Sequence, residues 1–187
     1  MEAKINTAGK VIAAVRTHEE LLKAAASNVK NVFYLSADIL TLKEDIDLLH
    51  NMKKKLFIHF DLAKGIANDR SGIEYIKKLG VDGIISTRTG TIKIAREMGV
   101  FTVQRFFIVD SQSIFQAIEA VKTSKAQIIE IMPGTMIKAI KRLKDVVDVP
   151  IIAGGLIETK DEIEEIITNG AAAVSTGKAQ LWGGKDV

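Results

Sequence analysis

The chain has 187 residues, 47% of them hydrophobic and 26% charged, with a formal net charge of +3 and a pI near 9.0. It contains no cysteine, which excludes disulfides, thiolate metal sites and a cysteine nucleophile and fits a reducing compartment. Aromatic residues make up 5%, little for base-stacking platforms, and the mild basicity suits a phosphorylated small molecule as well as it suits nucleic acid. The N-terminal stretch MEAKINTAGKVIAAV, with Glu2 early, has no apolar run of signal-peptide length. No segment approaches the roughly 20 apolar residues that cross a bilayer. A soluble cytoplasmic protein, free of the membrane, is expected.

Short apolar runs alternate with amphipathic segments along the whole chain. KVIAAV (10–15) reads as a strand, HEELLKAAAS (18–27) as a helix, NVFYLS (31–36) as the second strand and LKEDIDLLHNM (42–52) as the second helix. The alternation continues with KLFIHFD (55–61), SGIEYIKKL (71–79), GIIST (83–87), TIKIAREM (91–98), FTVQRFF (101–107) and SIFQAIEAVKT (113–123). It ends with QIIEIM (127–132), TMIKAIKRLK (135–144), PIIAG (150–154), DEIEEIITN (161–169), AAVST (172–176) and KAQLW, little more than one turn. Ile114, Ala117, Ile118 and Val121 share one helical face, and Gly80, Gly99 and Gly170 fall where helices should stop.

Eight strands with helices between them, strand first, predict an α/β protein with a parallel sheet, and eight is the number that closes a TIM-type barrel. The expectation is one compact (β/α)8 barrel domain over residues 1–187, with a very short final helix. An open doubly wound sheet is the rival. LGVDGIISTRTG (79–90) and NGAAAVSTGKAQ (169–180) repeat the order helix, glycine, apolar strand, Ser-Thr, half a chain apart. That echo supports fourfold-plus-fourfold duplication.

In such a barrel the chemistry lies at the C-terminal ends of the strands, often with a phosphate on the loops after strands seven and eight. PIIAGG and AVSTG supply that pattern: Gly154 and Gly155 let a ligand approach the backbone, and Ser175, Thr176 and Gly177 lead to a short helix start. The alternative is that the glycines only allow close packing. Other strand ends carry Arg16, Asp38, His59, Asp61, Arg88, Gln104, Arg105 and Glu130, with Lys64 just beyond the third strand. Asp61 and Glu130 suit a polyol, while Arg16, Lys64, Arg88 and Arg105 add positive charge. Each could equally close a salt bridge at the mouth. The pair Asp61 and Glu130 could in principle do acid–base work. HEELL is not a zinc motif, since position 22 is Leu, and no metal site or cofactor is expected. The sixth helix places Lys138, Lys141, Arg142 and Lys144 together, a solvated face or a dock for a phosphodiester backbone. Lys53, Lys54 and Lys55 read as favourable charge at a helix C-terminus.

DILTLKEDID (38–47), HFDLAKG (59–65), DGIISTR (82–88), VQRFFIVDS (103–111), IEIMPGTMIKAIK (129–141), VPIIAGGLIETK (149–160) and AVSTGKAQLW (173–182) closely resemble the glycerol uptake operon antiterminator proteins. The resemblance runs in order through nearly the whole chain. It implies a small barrel that binds glycerol 3-phosphate as effector and then acts on the leader mRNA of glycerol-use genes, letting transcription pass a terminator. It also implies the phosphate on Gly154, Gly155, Ser175, Thr176 and Gly177, with Asp61 and Glu130 near the glycerol hydroxyls. Lys64 and the Gly177-Lys178 turn depart from the family's pattern beside that ligand. Two other functions share the fold and the phosphate site: a phosphosugar isomerase, aldolase or epimerase, and a phosphometabolite sensor that binds no RNA. A homo-oligomer is compatible with each.

Overall fold

The computed structural model describes residues 10–183; part of the N-terminal stretch read against a secretion signal lies outside them. Eight parallel strands pair in chain order and the eighth closes on the first. The elements are β1 (Val11–Val15), α1 (His18–Ala26), β2 (Asn31–Tyr34), α2 (Leu42–Asn51), β3 (Lys55–His59), α3 (Arg70–Leu79), β4 (Gly83–Ser86) and α4 (Thr89–Glu97). They continue as β5 (Thr102–Phe107), α5 (Ser111–Ser124), β6 (Ile128–Met132), α6 (Ile137–Lys144), β7 (Ile151–Gly154), α7 (Lys160–Thr168) and β8 (Ala173–Thr176). The open doubly wound alternative is thereby set aside. Among the described residues no helix is long and apolar enough to cross a membrane.

Where helix starts differ from the sequence reading, side-chain caps explain those of α3, α5 and α7. Asp69 accepts a hydrogen bond from the Gly72 N–H and starts α3 one residue early. Asp110 accepts from the Ser113 N–H, so α5 begins at Ser111 rather than Ser113. Thr17 with Glu20 and Thr159 with Glu162 form capping boxes at α1 and α7. The third strand stops at His59, because Phe60–Leu62 turn into a 3-10 helix. The expected final helix is a single 3-10 turn, Ala179–Leu181.

Strand alternation divides the side chains between two environments. Ile12, Phe33, Phe57, Ile85, Phe101, Val103, Ile128, Ile152 and Ala173 fill the barrel interior. The opposite strand faces pack against the helices in two further clusters, one around β1–β4 and one around β6–β8. The interior is plugged by three phenylalanines: Phe57 meets Phe33 edge-on at 5.7 Å between centroids and Phe101 at 5.9 Å. Each such pair is worth about 0.5–1.5 kcal/mol beyond its buried area. Gly83 makes room for the plug. A Cβ there would stand 2.7 Å from the Phe101 carbonyl oxygen and 2.8 Å from the Phe57 ring. Backbone on one side and an interlocked ring on the other leave nowhere to yield. Gly83→Ala should therefore destabilise the fold by about 1–3 kcal/mol, read as a lower urea midpoint with an unchanged slope.

Candidate functional site

At the C-terminal ends of the strands, inward positions turn from apolar to polar. His59, Arg105, Glu130 and Ser175 lie on β3, β5, β6 and β8, two residues or a multiple of two beyond the plug residues Phe57, Phe101, Ile128 and Ala173. Glu130 is fully buried and its two oxygens are divided. Arg105 Nε donates to Oε2 at 2.6 Å, and Ser175 Oγ donates to Oε1 at 2.5 Å. A carboxylate placed this deep is tolerable only because a guanidinium and a hydroxyl replace its water. Gly154, on the intervening β7, is part of the same arrangement. A Cβ at that position would lie 2.4 Å from Ser175 Oγ and 2.7 Å from Glu130 Oε1.

Above this cluster opens a cavity of about 260 Å³, lined among others by Arg16, Met132, Gly155, Leu156, Glu158, Thr176, Gly177 and Lys178. The size suits a small metabolite, since drug-sized pockets start near 300 Å³. Among the described residues the N–H groups of Gly155, Leu156 and Gly177 make no hydrogen bond within the protein. Gly155 and Leu156 both take positive φ, +78° and +58°. For Leu156, with its exposed side chain, that conformation carries strain. Opposite, Lys178 Nζ reaches Glu158 Oε1 at 2.9 Å, tying the loop after β8 to the loop after β7. The Arg16 guanidinium has no carboxylate partner among the described residues, its backbone N–H donating to Glu20.

The cavity thus gathers Arg16, Arg105, Glu130, Gly155, Ser175, Thr176 and Gly177, with Gly154 beneath them. Thr176 takes part by its position rather than its hydroxyl. That hydroxyl donates to the Ile157 carbonyl at 2.9 Å and accepts from the Lys178 N–H, which pins the two loops together. Trp182 folds the segment after β8 back on the strand end, donating from Nε1 to the Thr176 carbonyl at 2.8 Å. Gln104 faces away from the barrel interior. It donates to Thr89 Oγ1 and accepts from Ser124 Oγ, on α4 and α5. The backbone of Lys64 forms an isolated parallel bridge with that of Asp38, and Arg88 caps α4 through its backbone. Neither lines the cavity.

Asp61 is also spoken for. It accepts from Ser86 Oγ at 2.6 Å and from the Thr87 N–H and hydroxyl, each at 2.8 Å, so it braces the turn after β4. Burial works to raise its pKa, but the bonds from Ser86 and Thr87 outweigh burial and hold it below the usual aspartate range. His59, buried beneath, has its pKa lowered by desolvation and then by Arg105, and its Nδ1 finds no partner. The imidazole is therefore uncharged at neutral pH. Among the described residues no group of three or more His, Asp or Glu is placed to hold a metal ion.

Sequence reasoning missed Glu158 and Lys178 as a pair across the mouth, and missed Leu156 and Met132 as lining. Lys178 stood one residue past the expected phosphate loop, which was the available signal. The four cations of α6 are all exposed and have no ion-pair partner among the described residues. Lys144 departs from the other three, since its stem lies against Gly170.

The model of the glycerol-3-phosphate responsive antiterminator family matches residues 11–182. YgcP of Escherichia coli strain K12, an uncharacterised protein, is 35% identical over 173 residues, covering 92% of this chain and 91% of YgcP. A glycerol uptake operon antiterminator regulatory protein from Listeria monocytogenes superposes with a TM-score of 0.87 at 29% identity, over 92% of this chain and 94% of that one. A glycerol uptake operon antiterminator-related protein from Thermotoga maritima gives a TM-score of 0.82 at 31% identity, over 92% and 96%.

Two outcomes test this geometry. Glu130→Ala strands the buried Arg105 charge and should cost about 3–5 kcal/mol of stability by chemical denaturation. A carboxylate whose pKa is depressed on folding stabilises the fold above its unfolded value and loses that contribution as pH falls through the folded one. Asp61→Asn should therefore flatten the acid limb of the stability profile, read as a smaller drop in urea midpoint on acidification than in the parent protein.

Proposed function

The chain belongs to the glycerol-3-phosphate responsive antiterminator family, and from that premise we propose that it binds glycerol 3-phosphate at the barrel mouth and, so loaded, binds leader mRNA to prevent termination. The carrying observation is one small cavity lined both by loop N–H groups without a partner in the protein and by a carboxylate. The unpaired N–H groups of Gly155, Leu156 and Gly177, with Arg16 and Lys178 beside them, suit a phosphate. Glu130, below, keeps lone pairs free of Arg105 and Ser175 for a glycerol hydroxyl. The three-residue turn at Ala179–Leu181 is too short to supply a helix dipole, so the loop amides carry the phosphate.

The same geometry favours a binder over a catalyst. Asp61 is saturated by Ser86 and Thr87, Glu130 is locked to a guanidinium, and Lys178 is ion-paired. A general base needs a carboxylate free to take a proton. The effector acts by binding the RNA-competent arrangement more tightly, so that occupancy shifts the population. Such a regulator works in the cytoplasm, on a transcript, and needs no cofactor beyond its effector.

Calorimetric titration with glycerol 3-phosphate should show saturable binding, with the ligand recovered unchanged and glycerol alone failing to compete. Lys178→Met should weaken that binding about tenfold or more, the loss of one charge-assisted contact. Conversion of the ligand would make the protein an enzyme, and equal affinity in the Lys178 variant would move the phosphate elsewhere.

A further inference from the structure

Resting on the antiterminator reading, we propose that single-stranded RNA docks on the face shared by α5 and α6, with Phe115 stacking a base and Lys138, Lys141 and Arg142 holding the phosphates. Phe115 leaves 56% of its surface exposed on α5, where its neighbours Ile114, Ala117 and Ile118 are buried. The Arg142 guanidinium of α6 lies 5.1 Å from the centre of its ring. Helical periodicity puts Lys138 one turn before Arg142 on the same side, with Lys141 next outward. Lys144 turns the other way, its stem against Gly170 at the end of α7. Of the four exposed cations on this helix, Arg142 covers the aromatic ring, Lys138 shares its side, and Lys141 stands beside them.

The chemistry of that group is specific. α6 holds no acidic residue between Ile137 and Lys144, and none of its cations has an ion-pair partner among the described residues. An unpaired cation cluster beside a half-exposed π-face matches an unstacked base and its flanking phosphates. A duplex would present phosphates and hide its base faces, leaving the ring unused. An acidic protein surface would use the cations but give the ring no partner. In the free protein Arg142 shields Phe115. When a base takes the ring, the guanidinium is released to a phosphate, so the contact is exchanged rather than created.

Position strengthens the assignment. α5 follows β5, which carries Arg105, and α6 follows β6, which carries Glu130 and Met132. Arg105 and Glu130 form the buried pair under the effector cavity, and Met132 lines it. The two helices that bear the face are fed by two of the strands that line the cavity. Effector occupancy and RNA affinity are thereby linked through two adjacent β/α units, with no need for a signal to cross the barrel.

The test uses the full chain with saturating glycerol 3-phosphate and a short fluorescein-labelled oligouridylate, followed by anisotropy across a salt series. Phe115→Leu, which keeps apolar bulk, should weaken binding about tenfold, the scale of one lost base stack. Lys138→Gln with Lys141→Gln should flatten the log–log salt slope by about 1.4, two phosphates at roughly 0.7 each. Lys93→Gln, an exposed lysine on α4, should change neither, and calorimetry should find glycerol 3-phosphate binding intact in every variant. Undiminished RNA affinity in the α5 and α6 variants would overturn this surface and leave the antiterminator reading standing. A parent protein that ignores RNA with and without effector would overturn both. Capture of polyglutamate in place of RNA, lost in the same variants, would reassign the face to an acidic protein and also overturn the proposal.

Discussion

The barrel's functional end depends on one buried ion pair. Arg105 and Glu130, on neighbouring strands paired in register, sit where the interior changes from aromatic plug to open cavity. Two charges out of water are costly to keep, and a well-packed apolar pair of the same volume is often at least as stable. The arrangement around them follows from that cost. Ser175 supplies the second hydrogen bond and Gly154 the space, while the glycine's lack of a side chain lets three strands converge on one carboxylate. Remove either charge and the other is left buried without its partner.

The loops above inherit their order from this base. β6 and β8 are held together below by the Glu130–Ser175 contact across Gly154 of β7; above, Thr176 on the Ile157 carbonyl ties the β7 and β8 loops, and Trp182 on the Thr176 carbonyl folds the β8 loop onto its strand end. The Leu156 backbone is kept in a left-handed conformation that an isolated loop would leave. What such bracing preserves is the cavity lined by Gly155, Leu156 and Gly177, whose N–H groups make no hydrogen bond within the protein among the described residues. Organised in advance, the loops spend little of the ligand's binding energy on their own ordering.

Most of the fold was legible because its signals are local. Every strand and helix was found within two residues, since apolar periodicity and caps such as Thr17, Asp69 and Thr159 act over a few positions. The site was legible where strand alternation governs it: Arg105, Glu130 and Ser175 point inward by the two-residue period, as Arg16 does at the rim. It was not legible where a single residue of register decides. The repeated Ser-Thr after β4 and β8 looked equivalent, yet Ser86 stands six residues past Gly80 and Ser175 five past Gly170. That offset turns Ser86 to the outer face, where it bonds Asp61, and Ser175 to the inner one, where it bonds Glu130. Gln104 fell on the wrong face for the same reason, one residue before Arg105. The Lys178–Glu158 pair joins loops 20 residues apart, and nothing local foretells such a partner.

The phenylalanine plug has a consequence for timing. Phe33, Phe57 and Phe101 leave no passage through the barrel, so a molecule bound above them enters and leaves by the same door. Its departure is then governed by whatever stands across that door. A sealed floor makes the barrel a one-ended vessel.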